Sequence, residues 1–162
     1  MTQAHSLRLP RVDVIIAHWN DEETTAECLG HLRKVQFPGM RVTVVDSGST
    51  DRSGERIQRM HSWVRVVRVP ENRGHAFAAN AGALSSPDGE SRYLFFLDND
   101  AFVELDCVQK LVNGLESNPR AAIACPLILS VRRRERVWYA GGYVTLFGNA
   151  RHKRMEIGRA HI

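Results

Sequence analysis

VTVVDSGSTD, residues 42–51, decides how the rest of the chain is read. Four consecutive β-branched residues run straight into Asp46, the pattern of a strand covered on both faces, as in a parallel sheet flanked by helices. Ser47-Gly48-Ser49-Thr50 is a turn of small residues, and Asp51 suits the N-cap of a helix that would carry Ile57 and Met60 inward. Strand, tight turn and helix start together make one link of a βαβ unit.

Working outward, the same kind of run recurs at 12–17, 64–69, 93–97 and 121–125. Helical patterns lie between these runs. Asn20 or Asp21 can cap a helix whose Asp-Glu-Glu first turn complements its positive end and whose buried stripe is Cys28, Leu29, Leu32 and Val35, stopped by Pro38-Gly39. The small-residue stretch HAFAANAGA, 75–83, is a third helix, with Ala76, Ala79, Asn80 and Ala83 allowing close packing. Leu105, Val108, Leu111, Val112 and Leu115 recur at helical spacing before Asn118-Pro119. The fold class is therefore α/β, an open, mostly parallel sheet flanked by helices. Ligands of such sheets bind at the carboxyl ends of the strands, at the switch point in strand order.

Composition narrows the class further. Of 162 residues, 43% are hydrophobic and 25% charged, which is ordinary for a packed domain and argues against disorder. No apolar run nears the ~20 residues of a membrane span, and MTQAHSLRLPR lacks a secretory h-region, so the expectation is a cytoplasmic protein. Cys28, Cys107 and Cys125 are odd in number, without Cys-x-x-Cys spacing, and read as buried free thiols. The net charge of +4 is concentrated at Arg132, Arg133, Arg134, Arg136, Arg151, Lys153 and Arg154. A solvated basic segment is the plain reading. The functional one is an anionic partner, through peripheral contact with the inner face of a membrane, a lipid-phosphate acceptor or a pyrophosphate. No nucleic-acid partner is expected.

Chemistry gathers where the strands end. After the first come Ala17, His18, Trp19 and Asn20, where Trp19 either closes the core or packs beside a base. At the end of the second, Asp46 can accept from ribose hydroxyls or a base N–H, or make a local turn contact. After the third, Asn72-Arg73-Gly74 opens a helix whose free N–H groups, with the Arg73 guanidinium, suit a phosphate. After the fourth, FFLDNDAF emits Asp98, Asn99 and Asp100. Alternation along an extended segment sends the two carboxylates to one side, where they repel unless a cation lies between them. A hard divalent ion held through oxygen is the usual solution, its shell completed by phosphates and water.

Together VDVIIAHWN, VTVVDSGSTD, ENRGHAFAANAG and YLFFLDNDAFVELDCVQKLV resemble glycosyltransferase family 2, of GT-A (Rossmann-like) fold, from Val12 to Gly142. The Ala140-Gly141-Gly142 step is similar to that of its rhamnosyltransferase-like members. The resemblance implies an N-terminal extension at 1–11, a nucleotide-sugar-binding domain at 12–142 and a basic C-terminal segment at 143–162. It also implies a UDP-, dTDP- or GDP-linked sugar as donor, with Ala17, His18, Asn20, Asp46, Asn72, Arg73, Gly74, Asp98, Asn99 and Asp100 in its site. Asp98 and Asp100 form the D-x-D element for Mn²⁺ or Mg²⁺, Asp100 as direct ligand and Asp98 toward ribose or metal-bound water.

The reaction so implied is transfer to a hydroxyl of a glycan or glycolipid acceptor with inversion, in cell-surface polysaccharide biosynthesis. The family's base comes from an acidic segment well after D-x-D. Beyond Asp106 only Glu116, Glu135 and Glu156 remain, and none has that setting. The expectation is thus a donor-binding region without its acceptor half, as an enzyme completed by a partner chain or second copy, or as a non-catalytic binding module. A dinucleotide-dependent dehydrogenase or a sugar nucleotidyltransferase would need a glycine-rich loop after the first strand, and AHWN is not one.

Overall fold

The computed structural model describes residues 10–86, 91–131, 136–145 and 150–152. They fall into two compact units that divide between Asp106 and Cys107, splitting the stretch 12–142 that the sequence treats as one.

The first unit is built on four parallel strands, β1 (Val12–His18), β2 (Met40–Ser47), β3 (Arg65–Val69) and β4 (Tyr93–Leu97), in the order β3-β2-β1-β4. The sequence locates all four, with β2 starting two residues earlier than its β-branched run. The central strands are buried along almost their whole length. The outer two are more open, with only Val69 of β3 and Leu97 of β4 buried, and Leu94 and Phe96 of β4 are 46% and 50% exposed, so full burial on both faces holds only for the middle of the sheet.

Helix α1 (Glu22–Leu32) starts at Asp21, whose Oδ1 accepts from Thr24 N at 3.2 Å, with Glu22 and Glu23 in the first turn. Its stripe of Cys28, Leu29 and Leu32 is buried as the periodicity requires, and Val35 beyond it is buried too. Gly30 meets nothing within 4 Å of where a Cβ would stand. Gly30→Ala should therefore stabilise the protein by about 0.5–1 kcal/mol through helix propensity alone. A lower urea midpoint in that variant would contradict the helix interior assigned here.

Helix α2 (Ser53–Met60) buries Ser53, Gly54 and Ile57. Met60 does not point inward as its spacing suggests. It is 54% exposed, because the helix ends there and the chain turns at His61 toward β3. Asp51 supports the helix from one residue outside the cap position, accepting from Ser53 N at 2.9 Å, while Arg52 takes the left-handed cap conformation.

Helix α3 (His75–Leu84) lies directly on β1 and β2, where Ile15, Val45, Val69 and Ala78 form one buried cluster. Successive residues of a strand face opposite ways. Ile15 and Val45 thus meet α3, while His18 and its register partner Asp46 face α1 and α2.

The second unit contains α4 (Cys107–Glu116), with Val108 and Val112 buried, and two antiparallel ribbons, β5 (Ile128–Leu129) with β6 (Val137–Tyr139) and β7 (Gly142–Val144) with β8 (Ala150–His152). No strand forms at 121–125: Ile123 is 86% exposed, and a five-residue apolar run carries no period that separates a strand from a loop. Cys125 is likewise exposed and Cys107 half-buried, leaving Cys28 as the one described cysteine that is buried. Leu105 is also exposed, and no described helix is long and apolar enough to cross a membrane. Arg136 and Arg151 are exposed, whereas Arg132, Arg133, Arg134, Glu135, Lys153, Arg154 and Glu156 lie outside the described residues.

Candidate functional site

The strand order reverses beside β1: β2 and β3 run off on one side and β4 joins on the other. The crevice at the carboxyl ends of β1 and β4 is therefore the switch point of the sheet. AHWN leaves β1 and D-N-D leaves β4 at that same edge.

Asp98, Asn99 and Asp100 keep the strand's alternation past its end. Asp98 and Asp100 are exposed and Asn99 is half-buried, its Nδ2 donating to Thr25 Oγ1 of α1 at 3.1 Å. Ala101 N donates to Asp98 O at 3.1 Å and closes the turn. His75, the first residue of α3, places Nε2 3.6 Å from Asp98 Oδ1. Beneath the loop, burial, with Asp100 and Asp98 adding to it, pushes the Cys28 thiol up to about 12. That cysteine is an inert wall. Among the described residues no three His, Cys, Asp or Glu side chains converge as a ready-made metal cage. The chemistry of this loop fits an ion that takes one or two carboxylates and completes its shell with phosphate oxygens and water.

The loop after β3 stands next to it. Asn72 Oδ1 accepts from Gly74 N at 2.9 Å, an Asx turn that sets the entry to α3. Gly74 has φ +90, with open space where a side chain would be, and α3 has no side-chain cap. Arg73 is 60% exposed, its guanidinium 4.6 Å above the Phe77 ring and its Nε 3.7 Å from Glu71 Oε1.

The turn after β2 is tied down from several sides. Asp46 is 2% exposed: Oδ1 accepts from Ser49 N at 2.9 Å, Arg68 Nε lies 3.9 Å from Oδ2, and Oδ2 also presses on Gly54 so closely that a side chain there would overlap it. The local turn contact is thus made. Gly48 has φ +66, and a Cβ on it would come 2.8 Å from Glu71 Cα, so only glycine suits this bend. Asn20, also left-handed with φ 52, donates its backbone N–H to Ser49 Oγ at 2.8 Å and accepts from Thr50 N at 3.1 Å, joining AHWN to the β2 turn. Trp19 is 53% exposed and does not close the core. Ala17 is half-buried.

His18 points the other way, into the protein. It is 1% exposed, its Nδ1 lies 2.8 Å from Thr25 Oγ1 and its Nε2 2.7 Å from Ser53 Oγ. Burial lowers its pKa below the usual 6.5, opposed by the charges of Asp46, Asp51, Asp21 and Glu22. The unfolded ring therefore takes a proton first as pH falls. The stability of the neutral ring is complete above about pH 6.5 and is lost between there and the depressed folded value. His61 shifts the same way through burial and Arg33. We expect His61→Gln to keep a decline in unfolding free energy between pH 7 and 5; a flat profile would rule out a neutral buried His18. The residues that sequence reasoning misses here are Thr25, Ser49, Ser53, Arg68 and His75, which carry no local motif.

Comparison with known proteins gives this geometry a lineage. The "Glycosyltransferase GlyG" of Streptococcus pneumoniae is 30% identical over 107 residues, 65% of this chain and 35% of that protein. The mannosyltransferase PcManGT from Pyrobaculum calidifontis, solved in complex with GDP-Man and Mn²⁺, aligns at 31% identity and TM-score 0.57 over 67% of this chain and 33% of its own. The S. aureus TarS 1-349 structure has TM-score 0.58 at 21% identity over 66% and 32%, a likeness of fold. The chain spans about a third of the length of such relatives. The profile of "Glycosyl transferase family 2" matches residues 13–159, and on that match, with a parallel α/β sheet of GT-A type, the chain belongs to this family.

Proposed function

We propose that this chain binds a nucleoside diphosphate sugar together with Mn²⁺ or Mg²⁺ and transfers the sugar, with inversion, to a hydroxyl of a glycan or glycolipid acceptor. The observation that carries the reading is the pair of exposed carboxylates, Asp98 and Asp100, turned out at the switch-point crevice while Asn99 is tied inward. Asp100 is the direct metal ligand in this reading and Asp98 meets ribose or metal-bound water. The metal supplies neutralisation of the charge that grows on the departing diphosphate. Arg73 and the uncapped N–H groups in the first turn of α3 face the same phosphates, with Asn72 shaping their approach through its bond to Gly74 N. Ala17, Asn20 and Asp46 form the floor under the nucleoside half, and His18, turned into the protein, lies behind that floor and not on it.

The organism's use of such an enzyme would be cytoplasmic and biosynthetic, the exposed basic groups at Arg136 and Arg151 favouring an acceptor carried on an anionic surface. No described residue is placed as the base that deprotonates the acceptor. A second reading, binding without turnover, is favoured by that one point. Calorimetric titration with UDP, GDP and dTDP, with and without Mn²⁺, tests the donor site. Saturating one nucleotide at ~100 times its Kd should also raise the unfolding free energy by ~2.7 kcal/mol. A folded chain that binds none of the three in Mn²⁺ would end the proposal.

A further inference from the structure

We propose that His18 is a positioning residue for the Asp98-Asn99-Asp100 loop, acting through the Thr25 hydroxyl on the Asn99 carboxamide. The inference rests on reading that loop as the metal-bearing element, and it deepens that reading by assigning the device that sets the loop's geometry.

Four side chains form an unbroken series: Ser53 Oγ to His18 Nε2 at 2.7 Å, His18 Nδ1 to Thr25 Oγ1 at 2.8 Å, and Thr25 Oγ1 to Asn99 Nδ2 at 3.1 Å. They come from the start of α2, the end of β1, the first turn of α1 and the loop after β4. His18, Thr25 and Ser53 are at most 1% exposed, so none exchanges its partner for water without cost. Valine or isoleucine would fill this position at the end of a buried strand without any hydrogen bond to satisfy. A buried polar group with both nitrogens engaged restricts its neighbours to one arrangement, which an apolar side chain does not do.

Thr25 is the hinge of the argument. Its hydroxyl oxygen accepts from Asn99, and Asp21 O, 3.3 Å away, competes with His18 for the same hydroxyl. When the hydroxyl proton lies on His18 Nδ1, the lone pairs of Oγ1 are aimed from the ring side; without the ring the proton turns to Asp21 O and the lone pair that faces Asn99 is redirected. Asn99 is the inward-facing residue of the three, so its carboxamide fixes how Asp98 and Asp100 are presented. This is the outer-sphere arrangement by which proteins orient metal ligands, displaced by one hydroxyl.

The test uses the full chain, ¹⁵N-labelled, and reads the Asn99 side-chain amide resonances, assigned by their disappearance in Asn99→Ser. In the absence of nucleotide and metal, His18→Phe and Thr25→Val should shift these resonances and speed their exchange with water, while Thr25→Ser, which keeps the hydroxyl, should leave them in place. Melting and circular dichroism confirm each fold, and His18→Gln, a polar variant that cannot span both Thr25 and Ser53, carries the test if His18→Phe does not fold. In calorimetry with Mn²⁺ and whichever of UDP, GDP or dTDP binds the native chain, His18→Phe should weaken binding by about 10- to 100-fold. Combining it with Asn99→Ala should then cost no more than the worse single change. Unmoved Asn99 resonances overturn the proposal, as do additive losses, which mark His18 as general support. Moved resonances in a chain that binds no nucleotide instead refute the donor reading and leave the hydrogen-bonded tie standing.

Discussion

Asp100→Ala should weaken Mn²⁺-dependent nucleotide binding about a hundredfold while leaving the melting temperature where it is. Asp100 is exposed, so deleting it strips no buried partner, and stability should change by less than about 0.5 kcal/mol. For the ligand the change is severe, because in the proposed site the diphosphate then faces Asp98 with no ion fixed between them. Losing one charged partner in such a pairing costs about 3 kcal/mol, roughly two powers of ten in Kd. Asp98→Ala should weaken binding less if its proposed place beside ribose and metal-bound water is correct. Equal Kd values for native chain and Asp100→Ala, measured in the same Mn²⁺ buffer, would remove Asp100 from the metal site; a reversed order would exchange the two roles.

Gly82→Val is expected to destabilise the fold more than any other single change discussed above, by about 3 kcal/mol or more through overpacking. A Cβ at Gly82 would overlap Ile15 Cγ2 and come within 2.9 Å of Val45 Cγ2. Both neighbours are β-branched side chains in the middle of buried strands, with little rotameric freedom to give way. The only relief is for α3 to lift from the sheet. That movement also carries off His75, which stands 3.6 Å from Asp98, and with it the Arg73-Gly74 step that leads into α3. Nucleotide binding should therefore fall in the fraction that remains folded, and Gly82→Ala, milder because alanine favours the helix, should lie between. A urea midpoint for Gly82→Val equal to the native one would contradict the close packing of α3 on β1 and β2.

The four parallel strands and the four helices can be read from the chain because each is announced by a pattern longer than its ambiguities. VDVII and VTVV run on past the length at which alternation or a helical period would show. Asp98, Asn99 and Asp100 are legible for the same reason, since the strand before them is unmistakable and their alternation survives into the turn. Ala121 to Cys125 fails because five apolar residues between Arg120 and Pro126 satisfy several structures equally. Met60 has the correct spacing for the buried face of α2 and is exposed because its helix stops there, a matter of length and not of period. Trp19 and His18 exchange the roles that hydropathy suggests: the indole is half in solvent and the imidazole is enclosed. Nothing local marks this exchange, because the partners that make a buried imidazole tolerable stand 7 and 35 residues further along. The reach of Asn99 to Thr25, across 74 residues, is silent in sequence for the same reason.

That enclosure also bears on how the chain can vary through descent. A histidine satisfied at both nitrogens by two different helices binds three codons into one unit of inheritance. Losing the Thr25 or Ser53 hydroxyl first strands a ring nitrogen in the interior, and losing His18 first takes a buried partner from each hydroxyl. Neutral drift at any one of these positions is closed until the others have moved. Lineages that depart from the trio should therefore do so by replacing it together, with a different residue after the isoleucines of β1 accompanied by different residues at the starts of α1 and α2.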